Sequence, residues 1–170
     1  MILVRPARSD DIPALAELGL RAWHQGIGPL VSQAIIDRFE RCNPFFPFLE
    51  QQGAGILVGE LNGIVAGLGA SETSDNSISD LWVSPEHEGK GVGTALLHAL
   101  EDSIRTKGFE ASRLSVAVGN VRAHDLYVHL GYSEVWRGER YDPILDRMLE
   151  KIDLEKPLPN QMATRLGKGT

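Results

Sequence analysis

Ile78 to Val83 is a short β-favouring stretch that Pro85 ends, and glycines follow at 89, 91 and 93. Val92, Ala95, Leu96, Ala99, Leu100 and Ile104 then recur at helical spacing. The helix therefore starts inside the glycine run, and its first N–H groups, which have no partner within the helix, face the turn. Glycine removes the side chains that would hold an anion away from the backbone. Free amides and the positive end of the helix dipole together suit a pyrophosphate. A strand, a phosphate cradle and a helix in this order restrict the chain to folds that mix helix and sheet.

Two common glycine patterns do not fit. A Walker loop needs Gly-Lys-Ser/Thr after a spaced glycine, and no such string occurs. The dinucleotide fingerprint needs a third glycine where this chain has Thr94, counting from Gly89, or Leu96, counting from Gly91. The run from Val83 to Leu96 instead reads V-x-P-x-x-x-G-x-G-V-G-x-x-L, which closely resembles the acetyl-CoA-binding motif of the GNAT superfamily of N-acetyltransferases. Asn120 to Tyr132 is similar to that family's second signature, N-x-x-A-x-x-L-Y-x-x-x-G-F/Y. Val4-Arg5-Pro6-Ala7, followed by Asp10-Asp11, resembles its opening strand and first helix start. The three segments come in the family's order and cover the chain from Val4 to about Ile152. One position departs from the pattern. Glu88 stands where the family usually has Arg or Gln, and a carboxylate beside a pyrophosphate repels it unless it turns aside.

The chain has 170 residues, enough for one domain with a sizeable core. We expect a single domain over 1–155 and an extension over 156–170 that is mobile or docked on a partner, because periodicity is lost from about Lys156. The single Cys42 precludes an internal disulfide and a cysteine-built zinc site. Neither a secretory leader nor a stretch of transmembrane length is evident, so a cytoplasmic protein with no membrane association is expected. The net charge of −6 argues against nucleic-acid binding, which draws on clustered Lys and Arg, and favours a cationic partner such as an amine.

Along the chain, Ile2 to Arg5 reads as a strand and Ser9 or Asp10 caps a helix to about His24; Asp10 places Pro13 in the first turn, where its missing N–H costs nothing. Ser32 to Arg41 reads as a second helix and Asn43 to Phe48 as an apolar connector. Asn62-Gly63 closes a hairpin between Gly55–Leu61 and Ile64–Ala70. After the cradle helix come a strand over Arg113–Val118, a helix over Val121–Leu130 closed by Gly131, and a strand over Tyr132–Arg140. Ile144–Ile152 fits a helix by spacing, but the resemblance implies a final strand there. The expected fold class is α+β, a mixed and mostly antiparallel sheet flanked by helices, with the strands ending at Val83 and Val118 as the parallel pair.

The GNAT resemblance implies that those two strands splay and admit the pantetheine arm of acetyl-CoA as cosubstrate. Leu81 and Val83 would then offer main-chain groups to the arm, and the Val83 N–H would stabilise the oxyanion. Glu88, Gly89, Lys90, Gly91, Val92, Gly93 and Thr94 form the pyrophosphate cradle, and Asn120 and Ala123 meet the arm from the opposite wall. Tyr127 matches the family's general acid, and an ordinary tyrosine pKa of about 10 keeps it protonated at neutral pH. The thiolate leaving group, with a pKa of roughly 8.5 by analogy with cysteine, gains from that proton without depending on it.

An amine must be neutral to attack, so a base is needed. Asp80 is nearest along the chain, as base or acceptor contact; Glu72, Asp75 and His24 are the alternatives. Phe45, Phe46, Phe48, Trp23 and Trp82 either line an acceptor pocket or build core. No metal is expected, since His124 and His129 are off the i, i+4 spacing. His87, between Glu86 and Glu88, is expected to be exposed. The leading reading is transfer of an acetyl group from acetyl-CoA to a primary amine, small molecule or peptide, by direct attack in a ternary complex. The rival is a non-catalytic acyl-CoA-binding module or sensor. A homodimer is compatible with either.

Overall fold

The computed structural model describes residues 1–159. Strand β1 (Ile2–Pro6) lies antiparallel to β2 (Leu57–Leu61), and β2 turns back into β3 (Ile64–Ser71) through Asn62 and Gly63. Both turn residues take positive φ, 53° and 83°, as the tight hairpin turn that matches strand twist requires. Strand β4 (Ile78–Val83) completes a sheet in the order β1-β2-β3-β4. A second sheet has the order β5-β7-β6, from β5 (Ala111–Ala117), β6 (Ser133–Asp142) and β7 (Arg147–Pro157). Every ladder is antiparallel.

The expected parallel pair exists only at its start. Ser77 and Arg113 form one parallel bridge, with the Arg113 N–H 2.9 Å from the Asn76 carbonyl and the Asn76 side chain 2.8 Å from the Ala111 carbonyl. Beyond that bridge β4 and β5 part, so a continuous mixed sheet is replaced by two sheets joined at one point.

Helices cover both faces of the first sheet. Helix α1 (Ile12–Gly26) follows a short 3-10 turn at Ser9–Asp11, and Pro13 falls in its first turn as expected. It packs with α2 (Gln33–Cys42) and α3 (Phe45–Gln52) in a core that holds Leu15, Leu18, Trp23, Phe39, Phe45 and Leu49 against Val58 and Leu68. Helix α4 (Val92–Thr106) lies on the opposite face. Gly59 and Gly67 make its close approach possible, since a Cβ there would come within 2.8 Å of Val92 Cγ1 and 2.9 Å of Leu96 Cδ1 respectively. Helix α5 (Val121–His129) packs through Tyr127 with Leu97, Leu100, Val116 and Ile152.

Four local expectations are corrected. The apolar connector is helical from Phe45: Pro47 sits in the first turn, where no N–H is required, and burial of Phe45 and Leu49 rewards the helix. Gly53–Gly55 is a 3-10 turn, so β2 begins at Leu57. The stretch Ile144–Ile152 is strand only from Arg147. Before it the Asp142 carboxylate accepts the N–H groups of Ile144 and Leu145, both at 3.0 Å, which builds a turn in place of further strand. Strand β7 runs on to Pro157 and Leu158 is 2% exposed, so the ordered chain extends past the expected boundary at Lys156; the rest of the expected extension, 160–170, lies outside the described residues.

Candidate active site

The glycine turn has the expected geometry. Gly89 and Gly91 take φ of +70° and +90°, which side chains resist, and Gly91 caps α4. The first helical bond is from the Ala95 N–H to the Gly91 carbonyl, 3.0 Å, so the N–H groups of Val92, Gly93 and Thr94 precede the ladder. A Cβ at Gly89 would meet nothing within 4 Å among the described residues, which leave open space over the turn. The Val92 side chain is buried in the core, so this residue contributes to the cradle through its backbone alone.

The charged residues of the turn face elsewhere. Glu88 pairs with Arg122 from the first turn of α5, with Gln25 Nε2 a further 3.5 Å contact. Lys90 is exposed and donates to the Glu86 carbonyl at 2.9 Å, backing the turn. His87, expected to be exposed, is half-buried: its Nδ1 lies 2.6 Å from the Oγ of Ser84, a fully buried hydroxyl that anchors the turn to the end of β4. Nothing in the residue types alone announced that contact.

The parting of the sheets leaves one edge of β4 open. The Ser84 N–H bonds the Ala66 carbonyl at 2.8 Å, which sets the phase of the β3–β4 ladder: Asp80, Trp82 and Ser84 address β3. Main-chain groups alternate along a strand, so Leu81 and Val83 turn their N–H and C=O toward the gap. Across it, Asn120 caps α5, its Oδ1 accepting the Ala123 N–H at 3.4 Å, and both residues line the gap.

Gap and cleft form one cavity of about 980 Å3. Tyr127 and Asp80 both line it. The Tyr127 side chain is 8% exposed, and its hydroxyl has no hydrogen-bond partner among the described residues. Burial, and secondarily the charge of Asp80, pushes its pKa above the ordinary tyrosine value, so it is a protonated hydroxyl. Burial likewise pushes Asp80 above the usual aspartate range, against the opposing hydrogen bond from the Trp82 indole at 3.0 Å. A carboxylate with raised basicity and an unpartnered phenol thus share a cleft under the open edge of β4.

Other candidates separate. Glu72 lines the cleft, whereas the Asp75 carboxylate accepts the Ser77 N–H at 2.7 Å within its own turn. His24 is drawn to Glu40, with Nε2 3.3 Å from Oε1. Trp23, Trp82, Phe45 and Phe48 line the cleft, while Phe46 is 40% exposed. The β6–β7 hairpin brings Trp136, Arg140 and Lys151 to the same wall. Sequence reading missed these three; an aromatic and an arginine at even spacing on an otherwise polar strand was the available signal.

A family model described as the Acetyltransferase (GNAT) family matches residues 20–132. The chain belongs to this family. The family inferred from the two glycine and asparagine signatures is thus the one that matches, and the α+β fold agrees. Among curated relatives, the [Ribosomal protein bS18]-alanine N-acetyltransferase of Escherichia coli is 28% identical over 115 residues, 65% of this chain and 78% of that protein. The uncharacterized N-acetyltransferase YobR of Bacillus subtilis is 29% identical over 101 residues, 59% of this chain but only 37% of the relative's length. The fold is shared with a GCN5-related N-acetyltransferase from Rhodopseudomonas palustris (TM-score 0.74, 21% identity, 92% of this chain and 95% of that one). It is shared too with the PaiA N-acetyltransferase from Thermoplasma acidophilum in complex with coenzyme A (TM-score 0.73, 19% identity, 92% and 99%). No helix of the described GNAT chain is long and apolar enough to cross a membrane.

Proposed function

We propose that this GNAT protein is an acetyl-CoA-dependent N-acetyltransferase that acts on a primary amine by direct attack in a ternary complex. The observation that carries the reading is the placement of the unpartnered Tyr127 hydroxyl and the burial-raised Asp80 carboxylate in one cleft beneath the free edge of β4. A pure binding module has no need of such a pair beside the gap, which disfavours the sensor reading. Relatives bearing N-acetyltransferase names, and a fold neighbour in complex with coenzyme A, support the same assignment.

The residues present fit the cosubstrate. Three unpaired amides and open space over Gly89 suit a pyrophosphate, and the outward main-chain groups of Leu81 and Val83 suit an amide-bearing arm laid along a strand edge. When bound, acetyl-CoA supplies a thioester as the activated acyl group. The Val83 N–H is the backbone donor for charge developing on the acyl oxygen. Asp80 takes a proton from the incoming ammonium, directly or through water, and its raised pKa makes it a better acceptor than an ordinary aspartate. Tyr127 gives the departing sulfur its proton and is reprotonated, directly or through water, by the second proton that the nitrogen loses as the amide forms, so the net release is the one proton taken by Asp80.

Thermal unfolding with and without coenzyme A tests the cradle. A ligand at a hundredfold over its Kd adds about 2.7 kcal/mol to stability, so a clear upward shift of Tm is expected. Gly91→Val should abolish it, because φ of +90° strains a branched residue and a Cβ there already meets Ile2 Cδ1 at 3.2 Å. A wild type with no shift at millimolar coenzyme A refutes the assignment. Release of free thiol from acetyl-CoA across a panel of amines then reads the transfer itself.

A further inference from the structure

We infer that the acceptor is a cationic amine carried on an aromatic or similarly apolar body, with no carboxylate beside the amine. This rests on the N-acetyltransferase reading and names the substrate class that its cleft selects.

The walls supply the first half of the argument. Trp23 stacks on Phe39 with ring centroids 3.9 Å apart and planes 11° from parallel, and Phe45 meets Trp82 edge-on at 5.7 Å and 89°. All four residues border the cleft, Trp23, Phe39 and Phe45 as the core edge beneath it at 4%, 3% and 6% exposure, and Trp136 of β6 borders it with its ring open to solvent, 39% exposed. Rings held by one another in fixed orientation offer apolar contact at little further entropic cost, and a flat or apolar body gains most from them.

Charge supplies the second half. Among the described residues, three cationic side chains reach the cleft and each is already committed: Arg113 to Glu155 at 2.5 Å, Arg140 to Asp153 at 2.7 Å, and Lys151 to Asp142 at 2.8 Å. Arg140 is further engaged by the Trp136 ring, 4.3 Å from its centroid. Asp80, by contrast, lines the cleft with no ion-pair partner among the described residues, its carboxylate accepting the Trp82 indole N–H; Glu72 lines it at an exposed position, with Lys107 Nζ 2.8 Å from its main-chain carbonyl. An ammonium therefore finds a carboxylate waiting, whereas a carboxylate on the acceptor finds no uncommitted cation and faces Asp80. Like charges brought together across an interface oppose binding. In a cleft open to solvent we discount this to roughly tenfold in affinity.

The test uses the full-length protein saturated with coenzyme A, titrated calorimetrically with tryptamine, tryptophan, tryptophanamide and spermidine, alongside acetyl transfer to each from acetyl-CoA. Tryptamine and tryptophanamide should bind alike and tryptophan roughly tenfold or more weaker. Trp136→Ala should weaken tryptamine severalfold while coenzyme A binds as in wild type. Equal binding of tryptophan and tryptamine, or tighter binding of spermidine than of tryptamine, would each overturn the inference. Efficient transfer to tryptophan or spermidine upholds the enzyme reading while removing this one. The expected binding order with no transfer to any of these amines overturns the inference, because the cleft would then select a ligand that is not the acceptor.

Discussion

The Glu88 carboxylate is paired with the Arg122 guanidinium, an ion pair that ties the leading edge of the glycine turn to the first turn of α5. Glu88 is the residue that should repel a pyrophosphate, and the pairing neutralises it. Arg122→Ala should therefore weaken coenzyme A by leaving Glu88 uncompensated. Glu88→Gln, and more so Glu88→Arg, should tighten it. Because Arg122 is 68% exposed, each change should stay below about tenfold and shrink as salt is added. Calorimetric titration at two ionic strengths measures this, and weaker binding by Glu88→Arg at low salt would contradict it.

Tyr127→Phe should lower kcat by roughly 10- to 100-fold, at or below the low end of general acid catalysis, because a thiolate is already a fair leaving group. Coenzyme A affinity should barely change. Stability should hold, since the lost hydroxyl has no protein partner among the described residues and opens on the cleft. A fall in Tm matching the fall in activity would make Tyr127 a packing residue. The raised pKa also means that no loss of activity between pH 7 and about 9 should trace to Tyr127.

For Asp80 the folded pKa lies above the unfolded value, so ionisation is penalised in the native state. The fold is relatively most stable when the group is protonated. That advantage is lost as pH rises from about 3.9, where the unfolded chain ionises, through the raised native value. Asp80→Asn removes this dependence. It should be at least as stable as wild type at pH 7, with the gap narrowing toward pH 4.5, while kcat falls and the acidic limb of the pH profile disappears. Thermal unfolding across that range and a pH–rate profile decide the point; an unchanged profile would exclude Asp80 as the base.

Lys156 Nζ lies 3.0 Å and 3.1 Å from the two carboxylate oxygens of Glu101, which is 4% exposed on α4. The Tyr132 hydroxyl donates to the same carboxylate at 3.0 Å and contacts Ser112 Oγ at 2.5 Å. The cluster fastens α4 to the second sheet. Lys156→Met should cost about 3–5 kcal/mol by stranding a buried carboxylate. Adding Glu101→Gln should recover part of that loss. Chemical denaturation measures both, and a neutral Lys156→Met would show that β7 ends functionally before this residue.

The cradle and the elements of the first sheet were legible because their causes are local. The glycine run that opens α4, the Asn62-Gly63 turn and the helix closed by Gly131 each depend on neighbours in the chain. The helix at Phe45–Gln52 was not legible, because its short apolar run is stabilised by contact with α1 and Trp82, distant in sequence. The start of β7 was hidden for a related reason. Ile144 and Leu145 fit a helix by spacing, and only the Asp142 carboxylate capping their amides turns the chain there.

Sequence by itself determined the family and the place of the glycine turn at the start of α4, since glycine conformation and helix-start chemistry are written in adjacent residues, and the resemblance to that family named Tyr127 as the acid to test. Tertiary structure alone decided that Glu88 meets Arg122 and, among the described residues, that the main chain of Leu81 and Val83 faces the gap and that the cations of the cleft are paired while Asp80 is not. Those outcomes depend on which side chains arrive together when two sheets meet at one bridge and part, and charges far apart in the chain compensate one another only through that meeting.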